Sequence, residues 1–125
     1  MKDLKSKIGV VQCIAAAAIT ATAEGTGVDL QGFNSACVVF SPGTITDGTH
    51  TPSVEESDDN SNWTAVAAVD LQGTLAALAS NTIQRVGYKG NKRYIRAVST
   101  VAGASTGGVY GADVILGDPS LAPVA

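Results

Sequence analysis

The chain has 125 residues, a formal net charge of −3 and an apolar fraction of 45%. This length suffices for one domain with a two-layer core. Only 15% of the residues are charged, against roughly a quarter in ordinary globular proteins. Much of the apolar fraction is alanine, and the aromatic residues are one Trp, three Tyr and two Phe. A thin core and a weakly charged surface favour a subunit of an assembly over a protein that works alone.

The chain starts with basic residues and an apolar run. The run covers residues 8–19 and is followed by an Ala-Thr-Ala sequence; the basic residues before it are Lys2, Lys5 and Lys7. This layout is typical of a secretory signal peptide. Gln12 interrupts the run, however, and the run is too short to span a bilayer. We therefore expect neither export nor a membrane span.

Composition divides the chain into three predicted parts. Residues 1–23 are predicted to form an N-terminal arm or first strand, and a short helix is the alternative for residues 10–20, because four alanines follow one another there. Residues 24–118 are predicted to form a single β-sandwich or a jelly-roll-like barrel, and residues 119–125 a C-terminal tail. The fold class expected is therefore all-β, with one domain and an extended N-terminal arm.

The apolar run Ala36–Phe40 has the length of a strand and is followed by Ser41-Pro42-Gly43. A continuous apolar run of this kind is typical of a central strand that is covered on both faces. We expect the strand to end at Pro42, because proline cannot donate a ladder hydrogen bond.

Two hairpins are predicted further along the chain. In the first, residues 53–57 pair with residues 63–66 around a polar tip at 58–62. In the second, residues 82–88 pair with residues 93–101. Both follow the pattern of strand-forming runs that flank a short turn rich in Gly, Asn and Asp. Downstream, Tyr110 to Leu116 alternates between apolar and small or polar residues, which predicts a strand with one buried face.

The polar tip also invites comparison with a calcium-binding loop. Asp58, Asn60 and Asn62 match the first three ligand positions of an EF-hand. Trp63 then stands where a glycine is required, and Val69 where a bidentate glutamate should be. We therefore predict a hairpin turn there, and no metal site.

Few residues offer reactive chemistry. His50 is the one histidine, lies among Gly and Thr, and is expected to be exposed. Cys13 and Cys37 lie in apolar surroundings and are predicted to be reduced, buried thiols in a protein made inside the cell. Nucleophile elbows, phosphate-binding loops and dinucleotide fingerprints are absent from the sequence. We therefore predict that the chain is not an enzyme and binds no cofactor.

Charge is unevenly distributed. Glu24 to Asp70 holds eight acidic residues and no Lys or Arg, whereas Arg85 to Arg96 holds five basic residues and no acid. Either copies of the chain contact each other through these segments, or the two segments neutralise each other within one fold. The acidic balance argues against nucleic-acid binding. The candidate protein-interface residues are Lys2, Lys5, Lys7, Arg85, Lys89, Lys92, Arg93, Tyr94 and Arg96.

Several segments resemble known proteins. The order of Glu55–Asn60, Trp63–Val66 and Arg93–Arg96 is similar to that in jelly-roll and discoidin-like sandwiches. Three further segments resemble small virion proteins of tailed bacteriophages, over about residues 25–119; they are Gly27–Gly32, Gly43–His50 and Gly87–Tyr94. This second resemblance implies a head decoration, or cement, role, and it carries over no catalytic residues.

The resemblance implies a protein that binds the outside of an icosahedral head and stabilises the shell. Its expected partners are the major capsid protein and copies of itself, as a homotrimer, with no nucleic acid and no membrane. It would be made in the host cytoplasm and reside in the virion. Two alternatives remain open: a head–tail connector or tail-tube component, which copy number would distinguish, and a carbohydrate-binding module on the virion surface.

Overall fold

The structure is a computed structural model that describes residues 3–120. Within this range the chain forms ten strands and two short 3-10 turns, the latter at Lys5–Lys7 and Ala68–Asp70. The strands are β1 (Gly9–Ile19), β2 (Ala23–Glu24), β3 (Val28–Asp29), β4 (Phe33–Ile45), β5 (Thr49–Ser57), β6 (Thr64–Ala65), β7 (Leu71–Gln72), β8 (Gln84–Tyr88), β9 (Tyr94–Ala102) and β10 (Gly108–Pro119).

These strands form two antiparallel sheets that enclose one core. The first sheet has the order β1-β10-β4-β8-β7. The second has the order β2-β9-β5-β6, and β3 also pairs with β9. Side chains from both sheets belong to the same buried apolar cluster. The predicted all-β, single-domain sandwich is therefore confirmed.

Alternation along β10 places one face of this strand in the core, as predicted. Tyr110, Ala112, Val114 and Leu116 are all buried, while the residues between them are partly exposed. The strand lies between β1 and β4, and it pairs with both over most of its length. The first sheet is therefore built around β10 and β4.

The central strand β4 is confirmed in its position but differs in its burial and length. Val38 and Phe40 are fully buried, whereas Cys37 and Val39 face outward and are only partly buried. The expectation that both faces are covered is thus wrong, since the described chain supplies only two layers. The strand also continues through Pro42, which is buried opposite Tyr110, as far as Ile45.

The two predicted hairpins have different outcomes. The first is confirmed, because Glu55 and Glu56 of β5 pair with β6. The second is wrong: β8 and β9 are both strands, but they belong to different sheets. The hydroxyl of Tyr88 donates to Glu56 at 2.7 Å and accepts from the backbone N–H of Lys92 at 3.0 Å. These bonds hold the connection as a crossing between the sheets.

Residues 9–19 form the first strand, and the helical alternative is wrong. The strand pairs with β10 and has two register irregularities, between Gln12 and Ile14 and between Ile14 and Ala17. Cys13 and Ile14 belong to the core. Lys2 and residues 121–125 of the predicted tail lie outside the described residues.

A close contact joins β1 to the second sheet. The carbonyl of Cys13 accepts a hydrogen bond from the N–H of Thr26 at 2.9 Å, and the Gly25 N–H donates to the carbonyl of Ala97 at 2.8 Å. The Cys13 thiol donates to the Thr26 carbonyl and accepts from the Ala97 N–H, both at 3.1 Å. A methyl group on Gly25 would overlap this thiol and lie 2.7 Å from the Ala97 oxygen. Only glycine therefore fits at this junction.

Candidate interface

The basic segment predicted from the sequence is largely paired within the chain. Lys92 Nζ lies 2.9 Å from Asp58, and Arg93 holds Asp29 with two bonds of 2.9 and 3.0 Å. The Arg93 guanidinium lowers the pKa of the Asp29 carboxyl, and the carboxylate of Asp58 raises the pKa of Lys92. Arg93 also lies 5.2 Å from the centre of the Tyr94 ring. The acidic and basic segments thus neutralise each other here within one fold.

Arg96 is the most enclosed of these cations. Its guanidinium binds Glu55 through two nitrogens, at 2.8 and 2.6 Å, and Glu24 at 2.9 Å. The same group lies 4.5 Å from the centre of the Trp63 ring. This arrangement links β9 to β5 and β2 on the outer face of the second sheet. The interface role of Lys92, Arg93 and Arg96 stays a prediction, with most of their charge already balanced.

The other candidate residues do not gather at one place. Lys5 and Lys7 form part of the turn before β1, Arg85 lies on the outer face of β8, and Lys89 follows that strand. All four are exposed, and within residues 3–120 they take part in no ion pair. They are the cations that remain available to a partner.

The polar tip at 58–62 is a turn, as predicted. The Asp59 carboxylate accepts hydrogen bonds from the N–H groups of Ser61 and Asn62, both at 2.9 Å, and from the Ser57 hydroxyl. These donors hold the pKa of Asp59 well below its ordinary value. Across the described residues, the structure contains no cluster of three or more metal-ligating side chains.

The prediction for His50 is wrong, because this residue is 1% exposed. Its Nε2 lies 3.0 Å from the carbonyl of Asp47, and its Nδ1 lies 2.8 Å from the hydroxyl of Tyr110. That hydroxyl also lies 2.7 Å from Ser99. A carbonyl can only accept, so in the neutral imidazole Nε2 carries the hydrogen and Nδ1 accepts from Tyr110. Ser99 then donates to Tyr110, which completes a directed chain of hydrogen bonds.

This chain of hydrogen bonds connects the two sheets. His50 and Ser99 belong to the second sheet and Tyr110 to the first, and all three are buried. The His50 and Tyr110 rings meet edge to face, with centroids 5.2 Å apart. Burial raises the pKa of the Tyr110 hydroxyl, which keeps it protonated. The cluster thus stabilises the interior, where a substrate cannot reach it.

Asp47 supports the same corner of the sandwich from outside. Its carboxylate accepts from the N–H of Gly107 at 2.6 Å, and also from those of Ser105 and Thr106. These backbone donors lower the pKa of the Asp47 carboxyl. One residue therefore anchors the loop before β10 and, through its carbonyl, orients His50.

The outer face of the first sheet is a surface that the sequence patterns did not predict. The register places on this face one continuous set of partly or fully exposed residues, which we call the open face: Val10, Gln12, Ser35, Cys37, Val39, Ser41, Arg85, Gly87, Val109, Gly111, Asp113, Ile115 and Gly117. Two of these residues are charged, one acid and one base. Its signal in the sequence is the apolar residues at both odd and even positions of 36–40, a pattern that is also typical of a strand covered on both faces.

The open face contrasts with the outer face of the second sheet. There Glu55, Arg96 and Trp63 cover the strands with long, mutually bonded side chains. On the open face most side chains are short, Arg85 and Gln12 being the exceptions, and three positions are glycine. Five of the thirteen residues of the open face carry apolar side chains, and exposed apolar side chains that gather on one face are typical of an interaction site.

A groove of about 380 Å³ lies between the start of β4 and the crossing from β8 to β9. Its lining includes Phe33, Asn34, Tyr88 and Arg93. The Tyr88 ring is buried and its hydroxyl is bonded to Glu56. Sugar-binding sites stack their ligand on exposed aromatic faces, so this groove gives the carbohydrate-binding alternative little support.

Comparison with solved structures returns several similar chains. The exported protein XepA of PBSX matches 100% of this chain and 41% of its own, with a TM-score of 0.61 and 20% identity. The SPBc2 prophage-derived protein YomS matches 87% of this chain and 93% of its own, with a TM-score of 0.49 and 14% identity. A chain of infectious bursal disease virus, Gx strain, matches 88% of this chain and 32% of its own, with a TM-score of 0.43 and 9% identity.

The chain thus spans less than half the length of XepA, with which it shares a fold. Neither a protein-family model nor a curated protein sequence matches the chain. Among the described residues, no helix is long and apolar enough to cross a membrane.

Proposed function

We propose that this chain is a structural subunit of a bacteriophage particle, and specifically a capsid decoration protein that binds the outside of the icosahedral head. The observation that carries the proposal is the open face: an almost uncharged sheet surface on a chain whose other sheet bears the ion pairs of Arg96 on its outer face. A protein that works by contact needs such a surface, and the resemblance of its turn segments to small virion proteins points to the particle.

Decoration stabilises a shell by mass action. A protein that binds the assembled lattice but not its separated subunits raises the free energy needed to disassemble the lattice. The proposed partners are the major capsid protein and other copies of this chain, for which a homotrimer is the form expected from the sequence. Lys5, Lys7 and Lys89 are exposed cations that suit an acidic shell surface. Neither nucleic acid nor a membrane takes part.

The test uses particles of the phage or prophage that encodes the chain. We expect the chain in purified heads at roughly hundreds of copies, and we expect particles that lack it to release DNA at a lower temperature, since bound ligand stabilises the assembled state. Dye fluorescence during heating measures this release. Purified wild-type protein should restore the higher temperature.

Two variants sharpen the add-back experiment. Val39→Asp places a charge at the centre of the open face and should fail to restore heat resistance. Val69→Asp places the same charge at a position that is 80% exposed in the turn before β7, and it should restore resistance fully. Absence from the particle, or equal heat resistance with and without the chain, would contradict the proposal. A few rings of copies at the portal would instead support a connector.

A further inference from the structure

We propose that the open face binds the open face of a second copy of this chain, about a two-fold axis that runs along β4. This deepens the proposed function, because it assigns the open face to contact between copies and leaves the exposed Lys5, Lys7 and Lys89 to the shell. The assembly it names is a dimer, in place of the homotrimer expected from the sequence. The role of this contact in the particle rests on the proposed function, whereas the contact itself can be measured with purified protein.

The two charges on the open face are placed for such an axis. Asp113 on β10 and Arg85 on β8 both pair with Val39 of β4, one from each side. They lie two strand spacings apart, or roughly 10 Å, which is too far for an ion pair within one chain. A two-fold axis along β4 lays β10 over β8 of the second copy. Each Asp113 then faces the second copy's Arg85, and two ion pairs form at once.

The adjacent row of residues fits the same axis by shape. Here Ile115 on β10 and Gly87 on β8 both pair with Cys37 of β4. The axis places each Ile115 over the second copy's Gly87, where a side chain is missing. Cys37 and Val39 lie on the axis and meet their own counterparts, and both are small and uncharged. Bulky and vacant positions thus alternate across the contact.

The size of the open face is sufficient for a reversible dimer. At a spacing of about 4.8 Å and a rise of about 3.3 Å per residue, about nine residues each of β1, β10 and β4 and the five of β8 cover roughly 500 Å² per copy. Two copies then bury roughly 1,000 Å², which is the area that a specific interface needs. Sheets that pack face to face lie about 10 Å apart, a distance that short side chains from both copies can fill.

Pairing through a strand edge is less favourable. The free edge of β1 is interrupted at Cys13, whose carbonyl already accepts from the Thr26 N–H. A second copy that added a strand there would have to displace this bond. On the second sheet, the ion pairs of Arg96 would have to be broken or desolvated. The open face can be buried without either loss.

The test is a charge-reversal cycle followed by sedimentation equilibrium of the purified full chain. We expect the wild type to dimerise with a dissociation constant in roughly the micromolar range. Arg85→Asp and Asp113→Arg should each weaken the dimer by about tenfold or more, because each creates two like-charge contacts. The double variant restores two opposite pairs and should regain wild-type affinity to within about threefold. Circular dichroism confirms that each variant is folded.

A second measurement uses the axis itself. A bismaleimide of about 8 Å reach should link Cys37 to the second copy's Cys37, because the sheets lie about 10 Å apart. The Cys37→Ser variant should give no linked dimer. Val39→Asp should abolish both the linkage and the sedimenting dimer, and Val69→Asp should change neither.

Three results would overturn the inference. One is a monomer at every concentration up to about 1 mM, well above the expected affinity. Another is a dimer or trimer whose affinity is unchanged by Arg85→Asp, Asp113→Arg and Val39→Asp, since its contact then lies elsewhere. The last is a double variant that dimerises as weakly as the single charge-reversal variants. A monomer that still protects phage heads would leave the proposed function intact, whereas a rescued dimer missing from particles would refute only that function.

Discussion

The directed hydrogen-bond chain between the sheets gives a quantitative prediction for Tyr110→Phe. The substitution keeps the ring and removes the one oxygen that both His50 and Ser99 contact. It leaves the Nδ1 acceptor of His50 and the Ser99 hydroxyl without this partner in a buried place. Each unsatisfied buried group costs about 1–3 kcal/mol. With two such groups, we expect a loss of roughly 2–6 kcal/mol in the free energy of unfolding.

Urea unfolding, followed by circular dichroism, measures this loss as a lower midpoint at an unchanged slope. Tyr94→Phe is the matched control, because Tyr94 is half-buried on the outward face of β9. It should change stability by less than about 0.5 kcal/mol. Ser99→Ala combined with Tyr110→Phe should cost less than the sum of the two single losses, since one orphaned group is then absent. A Tyr110→Phe protein as stable as the Tyr94→Phe control would refute the reasoning.

Three further predictions concern other parts of the sandwich. Gly25→Ala should destabilise the fold by about 1–3 kcal/mol through overpacking. Its control is Gly43→Ala, which should be nearly neutral because the added methyl lies 3.5 Å from its nearest neighbour. The midpoints of urea unfolding measure both effects, and equal midpoints would contradict the prediction. Arg96→Lys should cost about 1 kcal/mol and shift the Trp fluorescence spectrum, because a lysine cannot hold Glu55 through two nitrogens; an unchanged spectrum would contradict the stacking. The folded-state pKa of Asp47 is lowered, so its stabilising effect is present above its ordinary pKa of 3.8 and is lost as the pH falls through the folded value. Asp47→Asn should therefore flatten the acid side of the stability profile, and a profile as steep as that of the wild type would refute this role.

Patterns with a short range in sequence predicted much of this fold. The alternation from Tyr110 to Leu116 depends only on the two-residue period of a strand, and the β5–β6 hairpin on a turn between neighbouring runs. Both could therefore be read directly. The prediction of the second hairpin was wrong, because the residues of its turn are typical of a loop between neighbouring strands of one sheet. The hydrogen bond from Tyr88 to Glu56 instead holds this connection between the two sheets.

Features that depend on distant residues could not be predicted. His50 looks exposed among Gly and Thr, and its burial depends on Tyr110, sixty residues further along the chain. The basic segment could contact either another copy or the acidic segment of its own chain. The positions of Asp29 and Glu55 in the fold decide for the second, and these positions do not follow from the sequence. The open face was hidden for a related reason. An apolar run such as Ala36–Phe40 does not reveal whether a second layer covers its outer side.

The reactivity of Cys37 in intact particles tests the central claim most directly. Cys37 lies on the open face and is partly exposed in the single chain, whereas Cys13 is buried and burial raises the pKa of its thiol. If the open face is buried in the assembly, a bulky maleimide should leave Cys37 unmodified in particles and label it in dilute, dissociated protein. Equal labelling of Cys37 in the two states would show that the face remains open and would contradict the account.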